Sequence, residues 1–372
     1  MSRIPPTDDA PWFPAQPAPD ELRRLDMEWL RGEGQHASVV VTSRVRVARN
    51  LKGYRFPPAA SPTELNRVLG EVIGAVTRQS CFDRFHVLDT AQLSELDLHM
   101  LMEKHLISPH FVKTSQQRSP GRGLVLGPRG GRVGMINEED HLRLQAIRSG
   151  LELEACWEEL GKVDDALEAE LDFSWSDQLG YLSTCPTNLG TAMRASVLLH
   201  LPGLSLKGRL DAIRSQIASQ VGLSVRGLYG EGSGVLGNLL QISNQISLGP
   251  AEEDLIGMVR GMAGRIIEQE MMARQEIRRD NSVALFDKVW RALGVMRHAQ
   301  TMDFPEALSG LSLVRLGVEM EILPPIPRER LNELMVSVRP AMLQVLMGQV
   351  SDPLQADMIR AQRIRQELAE AP

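Results

Sequence analysis

The spacing of apolar positions changes near residue 250, and the change divides the chain. Before that point, short runs alternate between apolar and polar residues in the two-residue period of a half-buried strand, interleaved with stretches at helical spacing. In residues 38–48, SVVVTSRVRVA, the alternation places Thr42, Arg44 and Arg46 on one face of a strand and Ser43, Val45 and Val47 on the other. Ser61-Pro62-Thr63-Glu64 reads as a capping box with Pro at the first helical position, opening a helix to about Thr77. A second helix is expected over 92–106, stopping before Ser108-Pro109. Strands are expected over 123–127 and 132–136, joined at Pro128-Arg129-Gly130-Gly131. Helical periodicity covers 151–171, and further strands fit near 192–200, 223–229 and 239–247, with a helix over 209–221 after the first. This alternation is α+β.

After Pro250 the strand signal ends. Apolar residues recur at helical spacing over 251–278, 282–300, 304–321, 328–347 and 353–369, with breaks at Asp280-Asn281, Phe304-Pro305, Pro324-Pro325 and Asp352-Pro353. The expected organisation is a Pro- and Asp-rich disordered tail over 1–20, an α+β domain over 21–255 and an all-helical domain over 256–372.

Composition narrows the function classes. The 372 residues are 43% hydrophobic and 24% charged, which suits two globular domains. Only 4% are aromatic, so aliphatic residues and the 17 methionines fill the cores. A net charge of -6 argues against nucleic-acid binding through bulk charge. No apolar run reaches the ~18 residues of a membrane span, and the N-terminus lacks the apolar core of a secretion signal. Three cysteines (Cys81, Cys156, Cys185) do not make a disulfide scaffold and point to a reducing, cytoplasmic setting. There is no CxxC or HExxH, so no protein-held metal is expected, and there is no GxxxxGK[ST] phosphate loop.

Four segments carry chemistry. Arg44 and Arg46 project two planar, permanently charged forks from one strand face, suited to phosphate oxygens, although an isolated pair is more often a solvated face. Glu138-Glu139-Asp140 follow the apolar residues 133–136, with Arg143 close behind. Three adjacent carboxylates beside a buried strand repel one another unless they face solvent, cations or a metal. Cys185 lies in a polar loop, Ser183-Thr184-Cys185-Pro186-Thr187, whose hydroxyls would favour a thiolate; an inert thiol is the alternative. Residues 226–234 contain four glycines, enough for close approach to a ligand but weak evidence alone.

In order along the chain, TSRVRVARN (42–50), NEEDHLR (137–143), STCPTNLGTAMRAS (183–196) and RGLYGEG (226–232) resemble the ATP:guanido phosphotransferases. GNLLQISNQISLG (237–249), VRLGVEMEIL (314–323) and a helical domain after the catalytic one, instead of before it, are similar to the bacterial protein-arginine kinases. The resemblance implies a large antiparallel sheet flanked by helices, like the glutamine synthetase catalytic fold, and transfer of the γ-phosphoryl of ATP, with Mg²⁺, to arginine side chains of proteins. It also implies marking for a Clp-type unfoldase–protease, work with a zinc-binding activator, and a C-terminal domain that dimerises and binds phosphoarginine.

Residue by residue, it implies that Arg44, Arg46, Arg143, Arg194 and Arg226 surround the phosphates and that His105 contacts the nucleotide. Thr42, Ser43 and Val45 would line the same site, with Ala195, Ser196, Val197 and Leu198, and with Gly227, Leu228, Tyr229, Gly230 and Glu231. Glu139 would hold the acceptor guanidinium and take its proton, and Cys185 would lie against it. Asp357 and Arg360 match the phosphoarginine-binding motif.

Two positions depart from the family pattern. Gly234 stands where a second carboxylate is usual; loss of one such group typically costs about 10²–10³ in rate. Ala356 stands where the phosphoarginine motif begins with Arg. These departures keep open a weakened or inactive regulatory homologue that binds nucleotide or a Clp partner. A kinase of free guanidino compounds is a further alternative, against which the missing N-terminal helical domain counts.

Overall fold

The valine-rich run of 38–48 becomes the central strand of the sheet, because its two faces meet different partners. The computed structural model describes residues 22–79, 85–116, 120–227, 236–348 and 352–369. The tail expected over 1–20 and the residues 228–235 of the Gly-rich loop lie outside them. The strands are β1 (Val40–Arg49), β2 (His86–Asp89), β3 (Gly123–Leu126), β4 (Arg132–Ile136), β5 (Leu142–Ser149), the short hairpin β6 (Trp175–Ser176) and β7 (Gly180–Tyr181), then β8 (Met193–His200), β9 (Leu223–Gly227) and β10 (Leu239–Asn244). Eight of them form one sheet in the order β2-β3-β4-β5-β1-β8-β10-β9, antiparallel at every ladder.

The helices are α1 (Pro62–Arg78), α2 (Glu95–Glu103), α3 (Pro109–Gln116), α4 (Leu153–Glu168), α5 (Pro202–Leu206), α6 (Leu210–Ala218), α7 (Glu252–Asp280), α8 (Ser282–His298), α9 (Phe304–Glu319), α10 (Arg328–Ser337), α11 (Pro340–Met347) and α12 (Pro353–Ala369). One face of the sheet presents Val45, Val47, Leu144, Ala146, Ala195, Val197, Leu240 and Ile242 to α1, α4 and α7, forming one core. The opposite face is covered in part by α2, α3 and the helices from α8 onward, which pack on Leu88, Leu124, Leu126, Val133, Met135, Leu198 and Leu239. Each fully buried Leu or Val on these faces contributes about 1.5–3 kcal/mol. Between the covered parts of this second face lies a polar strip that carries the chemistry.

The capping box forms as expected: Ser61 Oγ accepts the Glu64 amide at 3.3 Å, and the Glu64 carboxylate accepts the Ser61 amide at 2.8 Å. Elsewhere boundaries move for local reasons. The helix expected over 92–106 is α2 alone, since the chain reverses at His105, which has a left-handed φ of 62°. The helix expected over 328–347 is broken into α10 and α11 at Arg339, which Pro340 forces into extended backbone. Strands β2 and β5 were not foreseen: β2 is too short to show a period, and β5 carries Arg143 and Gln145 on a face that is itself largely enclosed. Helix α7 runs unbroken through 255–256, the expected domain boundary, and its buried residues Leu255, Val259, Ala263 and Ile266 pack on the sheet. We therefore propose that the two modules divide at the α7–α8 turn at Asn281. Among the described residues, no helix is long and apolar enough to cross a membrane.

Candidate active site

Strand pairing assembles the arginines. Because paired residues of an antiparallel ladder point to the same face, Arg46 of β1 stands opposite Arg194 of β8 and Gln145 of β5. Arg44 stands opposite Ser196, Ala48 opposite Arg143, and Arg226 of β9 opposite Gln241 of β10. The cations sit close enough to repel. Burial, with Arg143 and Arg194 nearby, pushes the Arg44 guanidinium down to about 10, and burial with Arg44, Arg143 and Arg194 takes Arg46 well below its ordinary value. The buried Nε of Arg46 has no hydrogen-bond partner among the described residues. A strip of like charges with an unsatisfied buried donor is held against its own electrostatics, and multiply charged phosphate oxygens match both the charge and the fork geometry.

One arginine is internally neutralised. Burial alone would lower Arg143, but Glu138, 2.6 Å from its Nη1, raises it. The same pair, with the Ser108 hydroxyl, holds the buried Glu138 carboxyl below its usual range despite burial.

The acidic segment forms the tight connection between β4 and β5. Asn137 adopts a left-handed φ of 58°, its amide donates to His141 O at 2.9 Å, and its side chain donates to Leu65 O and Gly121 O. The turn therefore cannot drift as a solvated loop would. Glu139 is half-buried, and burial raises its carboxyl above the ordinary value. Its carboxylate has no hydrogen-bond partner among the described residues.

Asp140 joins this turn to the cysteine loop. It is 2% exposed, and its Oδ1 accepts from Asn50 Nδ2 at 2.6 Å and from the Thr184 amide at 2.7 Å, while Oδ2 accepts from Ser183 Oγ at 2.9 Å. Thr184 Oγ1 donates to Glu139 O at 2.8 Å. Cys185 is thereby fastened beside Glu139, with its Sγ 3.0 Å from Thr187 Oγ1. The expected hydroxyl partner of the sulfur is present.

Other expected site residues divide by face. Thr42, Arg44, Arg46, Arg143, Arg194, Ser196, Leu198 and Arg226 share the arginine face, although Leu198 is buried under the C-terminal helices. Val45, Ala195 and Val197 point into the opposite core, so only their backbone runs beside the site. Ser43 also points there, its hydroxyl donating to Gly150 O at 2.8 Å and accepting the Glu152 amide at 2.9 Å. Gly227 ends β9; Leu228, Tyr229, Gly230, Glu231 and Gly234 lie outside the described residues. His105 stands at the edge of the arginine face, near enough for Arg44 to oppose its protonation. Asp357 and Arg360 do meet, at 2.5 Å, but far from this strip in sequence and element. Arg360 is 4% exposed and also donates to Val338 O at 2.9 Å and Met302 O at 2.8 Å.

Sequence reasoning passed over Asn50, and it marked the carboxylate run that contains Asp140 without giving that residue a partner. Both lie inside the matched strings, and an Asn or Asp at a strand end carries no signal of its distant partner. Among the described residues, no group of three or more His, Cys, Asp or Glu could hold a metal ion.

The chain was compared with known proteins. Residues 68–273 match the family model of the ATP:guanido phosphotransferase C-terminal catalytic domain, and residues 282–372 match that of the protein-arginine kinase McsB C-terminal domain. The protein-arginine kinase of Pelotomaculum thermopropionicum is 42% identical over 356 residues, covering 95% of this chain and 99% of that one. That of Halothermothrix orenii is 42% identical over 349 residues, covering 94% and 98%. Among solved structures, the duplicated taurocyamine kinase from Schistosoma mansoni superposes with a TM-score of 0.57 at 29% identity, covering 70% of this chain and 36% of that one. With catalytic and C-terminal matches meeting near the α7–α8 turn, the chain belongs to the ATP:guanido phosphotransferase family, and within it to the protein-arginine kinases.

Proposed function

We propose that this protein transfers the γ-phosphoryl group of ATP to arginine side chains of other proteins. The observation that carries the reading is the juxtaposition of the arginine strip with the Glu139–Cys185 pair, which one buried carboxylate, Asp140, fastens together. Phosphoryl transfer needs little covalent help beyond alignment and charge neutralisation. Arg44, Arg46, Arg194 and Arg226 would hold the phosphates and the transferring group. Mg²⁺ bound to ATP would add to the neutralisation. Arginine is a poor nucleophile because its guanidinium keeps its protons above pH 12. In the step, an N–P bond forms at a terminal guanidinium nitrogen and the bond from the γ-phosphorus to the β–γ bridging oxygen breaks. The nitrogen's proton passes to Glu139 and ADP leaves. The upward shift of Glu139 makes it a stronger proton acceptor than an exposed carboxylate. Cys185 would flank the guanidinium and fix its orientation.

The finer setting belongs to the same proposal: substrates with exposed arginines in the cytoplasm, delivery to a Clp-type unfoldase, a zinc-binding activator and a homodimer. Phosphoarginine binding at Asp357 and Arg360 is also part of it, and it requires Arg360 to exchange some of its present partners for the ligand. The regulatory alternative rests on Gly234 and Ala356.

The deciding experiment incubates the protein with MgATP and an arginine-rich unfolded protein and follows phosphoarginine by ³¹P NMR at neutral pH. The expected result is a P–N signal that disappears in Glu139→Ala. No signal, with ATP binding intact, overturns catalysis in favour of a regulatory nucleotide-binding role.

A further inference from the structure

One residue of the C-terminal helices reaches His105, at the edge of the arginine face. Arg339, 3% exposed, lies in the break between α10 and α11. Its Nη1 is 2.7 Å from Glu103 O and 3.1 Å from Nε2 of His105. The join is reinforced from the other side, where the Glu103 carboxylate accepts the amides of Ala341 at 3.0 Å and Met342 at 2.7 Å, in the first turn of α11. One ring face and the backbone of His105 are also held. It stacks on Trp29 with ring centroids 4.9 Å apart and 12° between planes, and Trp29 is pinned by its Nε1 donating to Lys104 O at 3.2 Å. Gln145, which stands opposite Arg46 in the sheet, donates to His105 O at 2.9 Å.

This geometry decides which ring nitrogen carries the proton. A guanidinium has five donors and no acceptor. The Arg339 contact therefore requires the lone pair of Nε2, and the proton must sit on Nδ1. The second cation, Arg44, and burial both oppose a doubly protonated ring. Nδ1 has no hydrogen-bond partner among the described residues, so its N–H is available to a ligand. Free imidazole prefers the other tautomer, with the proton on Nε2, so the arrangement depends on Arg339.

We propose that Arg339 is a positioning residue of the nucleotide site, which holds His105 as its Nδ1–H tautomer so that the ring donates a hydrogen bond to an acceptor atom of the bound nucleotide. Nucleotide affinity then depends on the C-terminal module, because Arg339 lies within residues 282–372 and outside the catalytic match of 68–273. The inference rests on the reading of His105 as a nucleotide contact.

Two measurements on the full-length protein test it. In ¹⁵N-histidine-labelled protein, two-bond N–H correlations, assigned by the signal missing in His105→Ala, are expected to show the proton on Nδ1 of His105. A proton on Nε2 overturns the proposal, and this readout needs no Arg339 variant to fold. In kinetics, Arg339→Met is expected to raise KM for ATP about tenfold with kcat at saturating ATP within about threefold, the loss of roughly one hydrogen bond. Arg339→Lys, which restores a donor, is expected to recover part of that KM. An unchanged KM in Arg339→Met, or a loss confined to kcat, overturns the proposal. His105→Ala separates the two levels. If it leaves KM for ATP unchanged, the nucleotide reading of His105 itself fails and takes the proposal with it. If it raises KM while Arg339→Met does not, the positioning role alone fails.

Discussion

Glu139 shows how a single residue is placed at a cost to the fold. Half-buried beside Glu138 and Asp140 and without a hydrogen-bond partner among the described residues, its carboxyl binds a proton more tightly in the folded chain than in the unfolded one. The folded state therefore holds more protons between the ordinary carboxyl value and the raised one, and stability falls as pH rises through that window. Glu139→Gln has no such loss. Its melting temperature is expected to exceed that of the unmodified protein at pH 8, with a smaller difference at pH 5, while phosphoryl transfer falls by at least ~10²-fold. Thermal scans at both pH values check the sign; a gain that is equal at pH 5 and pH 8 would remove the carboxyl as its cause. The same tension marks Arg46, whose buried Nε has no hydrogen-bond partner among the described residues. Such residues exchange stability for function.

At the scale of elements, alignment comes from loops tied together more than from the strands that carry them. Glu139 of the β4–β5 turn and Thr184 of the loop carrying Cys185 are 45 residues apart, yet Asp140 accepts hydrogen bonds from Ser183, Thr184 and Asn50 at once. Asp140→Ala leaves the Thr184 N–H without its acceptor and the Asn50 side-chain amide with Leu182 O as its acceptor, and it loosens two loops that then rest on the Thr184 Oγ1 to Glu139 O hydrogen bond. A shift of about 1 Å between aligned groups costs ~10²-fold in rate, so kcat is expected to fall by about that factor. The ATP dissociation constant is expected to stay within about twofold, because the arginines are placed by the strand register and not by this clamp. Initial rates and calorimetric ATP titration separate these quantities. A parallel loss of ATP affinity would show that the clamp supports the whole site.

Across the whole molecule, buried ionic groups stitch helices to the sheet domain. Glu270 of α7, with essentially no exposure, accepts the amides of Gly203 and Leu204 at 2.9 Å each at the start of α5 and pairs with Arg274 at 2.7 Å. Arg274 in turn donates to Ser38 O at 3.3 Å. Glu270→Ala leaves a buried cation unpaired and two amides unsatisfied, and breaking such a pair costs about 3–5 kcal/mol. A loss of unfolding free energy of that size, read from the lowered denaturant midpoint, is expected, and a change below about 1 kcal/mol would mean that water reaches the vacated space. Buried Arg315 does comparable work between α9, Asn332 of α10 and Ala37 O. Glu270 thus fastens α7 within the sheet domain, while Arg315 on Ala37 O and Arg339 on Glu103 O and His105 tie the C-terminal helices to it.

Local chemistry made much of this protein legible in advance. The capping box at Ser61, the two-residue alternation of β1 and the Pro-delimited helices after residue 250 depend on nearest neighbours, and each forms close to where its residues place it. The four matched strings also located the arginines, Glu139 and Cys185, since each string carries its chemistry in consecutive residues. What could not be read there depends on partners far along the chain. The meeting of Arg46 with Arg194 is a consequence of strand register, the clamp at Asp140 of loop closure, and the break at Arg339 matters only because it falls against His105, 234 residues away. The assignment of α7 to the sheet domain likewise follows from packing, because an amphipathic helix shows which face is apolar but not which surface covers it. Linear pattern encodes period and local capping; register, long-range pairing and the identity of the covering surface exist only once the chain has closed on itself.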